Sequence, residues 1–270
     1  LVISNTHILP EVYEKMGLQG MIEFSNDVLK FIIDEYTLES GVRKLKEILF
    51  EIVGEINLEI LNNFETNYEI PINITIEDVK TKYFKDKHES LIRKVSNKNE
   101  IGFINGMYAT SLGTGGTLPI HAKYFPSDKF LDLKLTGLQQ DVMRESMHVS
   151  LTVAWNLTSS ERQIMLRKKY DTDNNKCGIN IHTGDNAVAK DGPSGGCAIT
   201  CALYSLLNNI PIKPEFGITG EIQMSGEVTA IGGLNYKILG SLKSNVKSFI
   251  FPKENEKEFN EFLEKYKDDE

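Results

Sequence analysis

The stretch Lys190-Asp191-Gly192-Pro193-Ser194-Gly195-Gly196 constrains this chain more than any other. A turn built from glycine and proline there delivers a serine to the start of a helix. The helix that follows, Gly195 to Leu207, carries Ala198, Ala202 and Ser205 on one face, small enough for close packing. At such a helix start, free backbone N–H groups and the helix dipole stabilise developing negative charge, which is what an acyl-transfer nucleophile requires. The same Asp-Gly-Pro-Ser pattern is also good turn and N-cap chemistry, so it does not by itself establish catalysis.

A serine nucleophile needs a base, and the residues offer two. His182 with Asp185 or Asp191 could complete a serine–histidine–aspartate arrangement. Alternatively, Lys237 sits in the helical segment Gly-Gly-Leu-Asn-Tyr-Lys-Ile-Leu-Gly, flanked by Tyr236, Ile238 and Leu239. Desolvation by those neighbours would lower its pKa and give a neutral amine able to take the serine proton. Spacing does not choose between them.

The surroundings read as two domains. Helices are expected over Ser25–Tyr36, with Val28, Phe31, Ile32 and Tyr36 on one face, and over Gly41–Leu61, with Val42, Leu45, Leu49, Ile52 and Ile56 at alternating steps of three and four. A strand turning into a helix follows at Ile74–Val79, and residues 1–87 make a small helical domain. Residues 88–99, rich in Lys, Asn, Ser and Glu, suit a linker. Over 100–270, strands are expected at Ile101–Thr110, Leu118–Tyr124, Phe130–Leu135, Gly178–His182 and Ser248–Phe251. Two more, Phe216–Ile222 and Glu227–Ile231, are joined by a turn at Ser225-Gly226. A helix over Asp141–Ala154 shows a Val142, Ser146, Val149, Val153 stripe, and another carries Tyr236, Leu239 and Leu242. Strands and helices mix without strict βαβ alternation, so the second domain is α+β.

Composition narrows the function classes. The 270 residues carry a formal net charge of −8, which argues against nucleic acid as the main partner. Lys82, Lys85, Lys87, Arg93 and Lys94 form the densest basic stretch, interrupted by acidic residues, and read as a solvated linker. Cys197 and Cys201 fall in an apolar segment with no further ligand set nearby. With Cys177 they read as small core residues in a reducing compartment, neither zinc ligands nor a disulfide framework. No apolar run approaches the ~20 residues of a membrane span, and Leu1–Pro10 lacks the layout of a signal peptide. The absence of an initiator methionine reads as a fragment of a longer protein, so a cytoplasmic location, or a mitochondrial matrix reached by a lost targeting segment, both fit.

Taken together, KDGPSGG at 190–196, ITGEIQMSGEVTAIGGLNYK at 218–237 and SFIFPKEN at 248–255 resemble the proteolytic domain of Lon proteases, with its KDGPSAG serine motif and glycine-rich lysine motif. The 43-residue separation of Ser194 and Lys237 also matches. LTGLQQDVMRESMHVSLTVA at 135–154 is similar to a Lon helix region. HILPE at 7–11 and YTLESGVRKL at 36–45 are similar to the small helical lid that closes the Lon AAA+ ATPase module.

The resemblance implies Ser194 as nucleophile, Lys237 as general base and Thr219 as the hydroxyl that fixes the lysine amine. It implies Asp191 as the residue governing whether the serine loop is open, and Arg43 as a sensor facing ATP on a neighbouring subdomain. It further implies a homo-hexameric parent that uses ATP and Mg to feed unfolded or damaged proteins to the site, with no metal or cofactor in this part. A non-proteolytic scaffold with a locked serine loop is the alternative. The chain departs from the family pattern at Gly195 (alanine), Ala189 (proline) and His121 or its neighbour (glutamate), and around Gly113–Gly116. No G-x-x-x-x-G-K-[ST] loop occurs, and GTGGT at 113–117 lacks the lysine. Residues 1–270 alone are therefore expected to hydrolyse no ATP, and micromolar ATP binding by calorimetry would contradict this.

Overall fold

The computed structural model describes residues 1–37, 41–62, 70–86, 95, 98–111, 113–172, 176–184 and 191–267. The chain forms two compact units, Leu1–Leu91 and Ile92–Glu270. The linker read over 88–99 lies mostly outside the described residues, as do Lys87, Arg93 and Lys94.

The first unit is built on α1 (Leu9–Met16), α2 (Asn26–Ile32), α3 (Arg43–Asn62) and the short α4 (Ile76–Asp78), with π-helical turns at Ser4–Ile8, Ile33–Thr37 and Val79–Tyr83. Local chemistry sets the ends. Gly17 closes α1 in the left-handed conformation, Ser25 accepts from Val28 N–H to open α2, and Thr75 and Asp78 form a capping box. Leu45, Ile48, Leu49, Ile52, Val53 and Ile56 of α3 are buried. At roughly 1.5–3 kcal/mol for each large apolar side chain, they outweigh the exposed Arg43–Glu47 pair, worth under about 1 kcal/mol. Val42, expected on this face, is exposed because it precedes the first turn. The unit is helical with one addition: β1 (Ile22–Phe24) and β2 (Ile72–Ile74) pair in parallel, so the strand expected before α4 has a partner.

In the second unit, a six-stranded mixed sheet runs in the order β10-β7-β3-β4-β6-β5. Its members are β3 (Phe103–Ala109), β4 (Gly115–Pro126), β5 (Leu133–Thr136), β6 (Cys177–Thr183), β7 (Phe216–Ile218) and β10 (Ser248–Ile250). A separate hairpin pairs β8 (Glu221–Ile222) with β9 (Val228–Thr229). The run Phe216–Ile222, expected to be one strand, is thus two strands in different sheets. The chain breaks at Thr219-Gly220, whose backbone groups bond elsewhere: Thr219 N–H to Ile250 O and Gly220 N–H to Ser194 O.

The helices of this unit are α5 (Asp141–Leu157), α6 (Ser160–Thr172), α7 (Gly196–Asn208), α8 (Leu234–Lys243) and α9 (Glu256–Lys265). Successive residues of β3 point to opposite faces: Gly106 leaves room for Ala198 of α7, while Ala109 meets Gly233 at the start of α8. α7 and α8 therefore cover the two sides of the sheet, and α5 packs on α7.

The face of α5 is offset from the expected stripe. Met143, Ser146, Met147, Ser150, Val153 and Ala154 are buried and Val142 is exposed, because residues one apart differ by about 100° and a mixed sequence fits two neighbouring faces. α6 was not foreseen; none of its residues is fully buried, so it lacks the apolar stripe by which helices are read. On α8, Tyr236 and Leu242 are exposed, and the buried face is Leu234, Lys237, Ile238 and Ser241.

α8 lies directly on the start of β4. A Cβ at Gly240 would stand 1.9 Å from Gly115 O, and one at Gly115 would stand 2.1 Å from Tyr236 O. Gly115 of GTGGT thus serves close backbone approach, while Gly113 and Gly116 face the side chains of Tyr236 and Tyr108. Gly240→Ala should destabilise the unit by roughly 1–3 kcal/mol or more through overpacking. Urea unfolding followed by the fluorescence of Trp155, the only tryptophan, measures this.

Candidate active site

The serine turn is clamped from two directions. Pro193–Gly195 form a 3-10 turn leading into α7. From α5, the Ser146 hydroxyl donates to Pro193 O at 3.4 Å and the Ser150 hydroxyl to Gly196 O at 3.1 Å. Asp191 Oδ1 accepts the Met143 N–H at 3.2 Å. This caps α5, whose own N-cap residue, Gln140, makes no side-chain cap. From the break after β7, the Gly220 N–H donates to Ser194 O at 2.8 Å, and Gly220 O accepts the Cys197 N–H at 2.9 Å. The glycines of the turn differ in need. At Gly196 a Cβ would come within 2.8 Å of Ile222 Cγ2 and Ser146 Oγ, whereas at Gly195 its nearest neighbours would be 3.7 and 3.8 Å away. Alanine fits at 195, so the departure from the family pattern there leaves the turn's geometry unaltered.

Lys237 meets this turn. Its Nζ lies 2.9 Å from Ser194 Oγ and 3.0 Å from Thr219 Oγ1. The Thr219 hydroxyl in turn donates to Ser194 O at 3.1 Å, so the threonine touches both residues. Lys237 and Thr219 are 3% and 1% exposed. Burial brings the lysine down to about 8 from its ordinary value, with the Glu258 carboxylate pulling the other way. The source of that burial differs from expectation. Tyr236 points to solvent, and the groups sharing the lysine's face are Leu234 and Ser241, at helical spacing, with the Gly115 backbone of β4 against the helix.

The rival base lies elsewhere. His182 pairs with His121 across β6 and β4, and its Nδ1 is 3.0 Å from Thr136 Oγ1. No described hydrogen bond joins it to Ser194; Asp185 lies outside the described residues, as do Lys190 and Ala189. Arg43 stands at the head of α3 with a side chain 90% exposed, 3.2 Å from Glu47. Cys177, Cys197 and Cys201 are free thiols. Among the described residues there is no cluster of His, Cys, Asp or Glu that could hold a metal, and no helix long and apolar enough to cross a membrane. Sequence reasoning missed Asn255 and Glu258, which hold the loop before Lys237, although the SFIFPKEN motif ends on the first.

Comparison with known proteins places this architecture in a class. Residues 73–269 match the Lon protease (S16) C-terminal proteolytic domain, and residues 14–68 match the Lon protease AAA+ ATPase lid domain. A Lon protease of Mycoplasma mobile is 34% identical over 98% of this chain and 30% of the relative. One of Chlamydia muridarum is 32% identical over 97% and 31%. A Lon protease homolog of Acanthamoeba polyphaga mimivirus is 29% identical over 96% and 30%. The chain is thus a helical ATPase-lid unit followed by an α+β proteolytic-type domain. It belongs to the Lon protease family, and it spans about a third of the length of these curated relatives.

Burying Lys237 has a definite pH signature. Its folded pKa lies below the unfolded value, so the unfolded chain binds more protons between about pH 8 and about 10.4. The cost is fully present below pH 8 and is relieved as pH rises through that window. Lys237→Met removes it, so the variant's stability relative to wild type should fall by up to roughly 3 kcal/mol between pH 7 and pH 10, measured by urea unfolding at the two pH values.

Proposed function

We propose that this chain is the peptide-bond-hydrolysing portion of an ATP-dependent protease, acting through Ser194 as nucleophile and Lys237 as general base. The observation that carries the reading is a buried amine 2.9 Å from the serine hydroxyl, with its pKa brought down to about 8. A solvated lysine is protonated at neutral pH and cannot accept a proton; a desolvated one is neutral in a useful fraction of molecules.

The neutral amine takes the Ser194 proton as Oγ attacks the substrate carbonyl. Thr219 fixes the amine's direction without adding charge. The Gly196 and Cys197 N–H groups are taken by Pro193 O and Gly220 O, so the amides heading the 3-10 turn, at Ser194 and Gly195, are the donors proposed for the oxyanion. The lysine then returns its proton to the leaving amine, and water resolves the acyl-enzyme. Asp191, capping α5 from the serine loop, is proposed to govern the loop's opening, since losing that bond frees the loop's anchor.

The family supports unfolded or damaged proteins and peptides as substrates and a ring, homo-hexameric in the parent, as the assembly. ATP and Mg belong to the part of the parent that carries a phosphate loop. Arg43, an exposed guanidinium at a helix start, fits a sensor reaching phosphate held by a neighbouring subdomain; it supplies no triphosphate cradle of its own.

Ser194→Ala and Lys237→Ala should each lower peptide cleavage by several orders of magnitude while the fold persists, and together lose no more than either alone, because they act as one unit. His182→Ala should stay near wild type. Acylation by an activated ester should rise with pH through about 8, the value at which the lysine loses its proton. Retention of activity by either dyad variant, or a profile unchanged by Lys237→Ala, would sink the assignment.

A further inference from the structure

The motif that closes the lysine helix from outside has no role in the chemistry above. α8 begins at Leu234 with Gly233 as N-cap, which has no side chain to offer, so the N–H groups of its first turn must find partners elsewhere. The first of them, that of Leu234, and two in the loop before the helix find partners on the segment after β10. Glu258 Oε1 accepts the Leu234 N–H at 3.0 Å, and Glu254 Oε2 accepts the Ala230 N–H at 2.7 Å. Between them, Asn255 grips one residue at both ends: its Oδ1 accepts the Ile231 N–H at 3.0 Å and its Nδ2 donates to Ile231 O at 2.8 Å. That Nδ2 also donates to Glu258 Oε2 at 3.0 Å. Asn255 is 5% exposed, so these bonds replace water at every polar atom of the side chain.

We infer that Asn255 and Glu258 are positioning residues for the proposed Ser194–Lys237 dyad: they pin the loop entering α8 and so hold the Lys237 amine in register with Ser194 and Thr219. The inference rests on the dyad reading. Lys237 follows Leu234 by one helical turn, so a displacement of the pinned N–H is a displacement of the amine. The same stretch fixes the third member, because Ile250 O of β10 accepts the Thr219 N–H at 3.0 Å. Phe251, Phe259, Phe262 and Tyr266 pack with Ile231, Leu234 and Ile238 behind the clamp.

Titratable groups on the elements packed around α8 include Tyr108 on β3, His121, Lys123 and Tyr124 on β4, and Glu254 and Glu258 on the clamp. Of these, Glu258 is the one whose charge acts on Lys237. A merely structural clamp would stabilise the domain without touching the amine's titration.

The experiment uses the full chain with two variants, Asn255→Ala and Glu258→Gln, each normalised to folded protein by circular dichroism. Peptide cleavage by Asn255→Ala should show kcat down on the order of tenfold or more, as small misplacements of catalytic groups do, with KM held within about twofold. The Lys237 titration, followed by 13Cε NMR on the same proteins and independent of activity, should move to lower pH in Glu258→Gln, because the anion that favours the ammonium is gone. Wild-type kcat in Asn255→Ala, or an unmoved Lys237 titration in folded Glu258→Gln, overturns the inference. Failure of the dyad reading would look different: Ser194→Ala or Lys237→Ala would keep cleaving, while the NMR titration would still decide whether the clamp acts on Lys237.

Discussion

The second unit is organised around keeping one amine out of water. Among the described residues, Lys237 makes no ion pair. It meets two hydroxyls, of Ser194 and Thr219, which orient nitrogen without compensating a charge, so burial makes the neutral form accessible near neutral pH. An ion-pair partner within bonding distance would do the opposite and hold the proton on. Glu258 supplies a weak version of that pull from the helix start, where its carboxylate also satisfies a backbone N–H. The position is a compromise between anchoring the helix and freeing the amine.

The helix that carries this amine meets the sheet backbone to backbone. Gly115 and Gly240 let α8 sit on β4 with no side chain between them, and Gly196 lets the serine turn sit beneath Ile222 and Ser146. Each contact is made by removing a Cβ, which makes the site intolerant of volume at those positions and tolerant at Gly195. Ser146, Ser150 and Asp191 then tie the serine turn to α5, and Thr219 and Gly220 tie it to the break after β7. The serine is thus braced through its carbonyl and its neighbours' carbonyls, leaving its hydroxyl to the lysine.

The sequence carried a good share of this. The turn at Asp191–Gly196, the small-residue helix after it, the long apolar stripe of α3 and most strands of the sheet are local signals, legible because turn chemistry and side-chain period act over a few residues. The errors were local signals that point two ways. On α5, Ser146 and Val153 of the expected stripe are buried but Val142 is exposed and Met143 and Met147 take the core side, since adjacent helical faces share residues; Phe216–Ile222 was read as one strand although its backbone turns at Thr219 to bond in two directions; α6 has no stripe to read.

By itself, then, the sequence determined that a serine would stand at the head of a tightly packed helix, that a lysine would lie on another, and, through its resemblance, the family to which both motifs belong. The tertiary structure decided which of the two side chains lies beside Ser194, because Lys237 and His182 are separated from it by chain length alone until sheet topology sends one to the end of β7 and turns the other toward Thr136. It also decided what dries the lysine. Of the sequence neighbours Tyr236, Ile238 and Leu239 expected to do so, Tyr236 is exposed, since adjacent residues on a helix face different ways, while Ile238 is buried; the amine itself lies against the hydroxyls of Ser194 and Thr219.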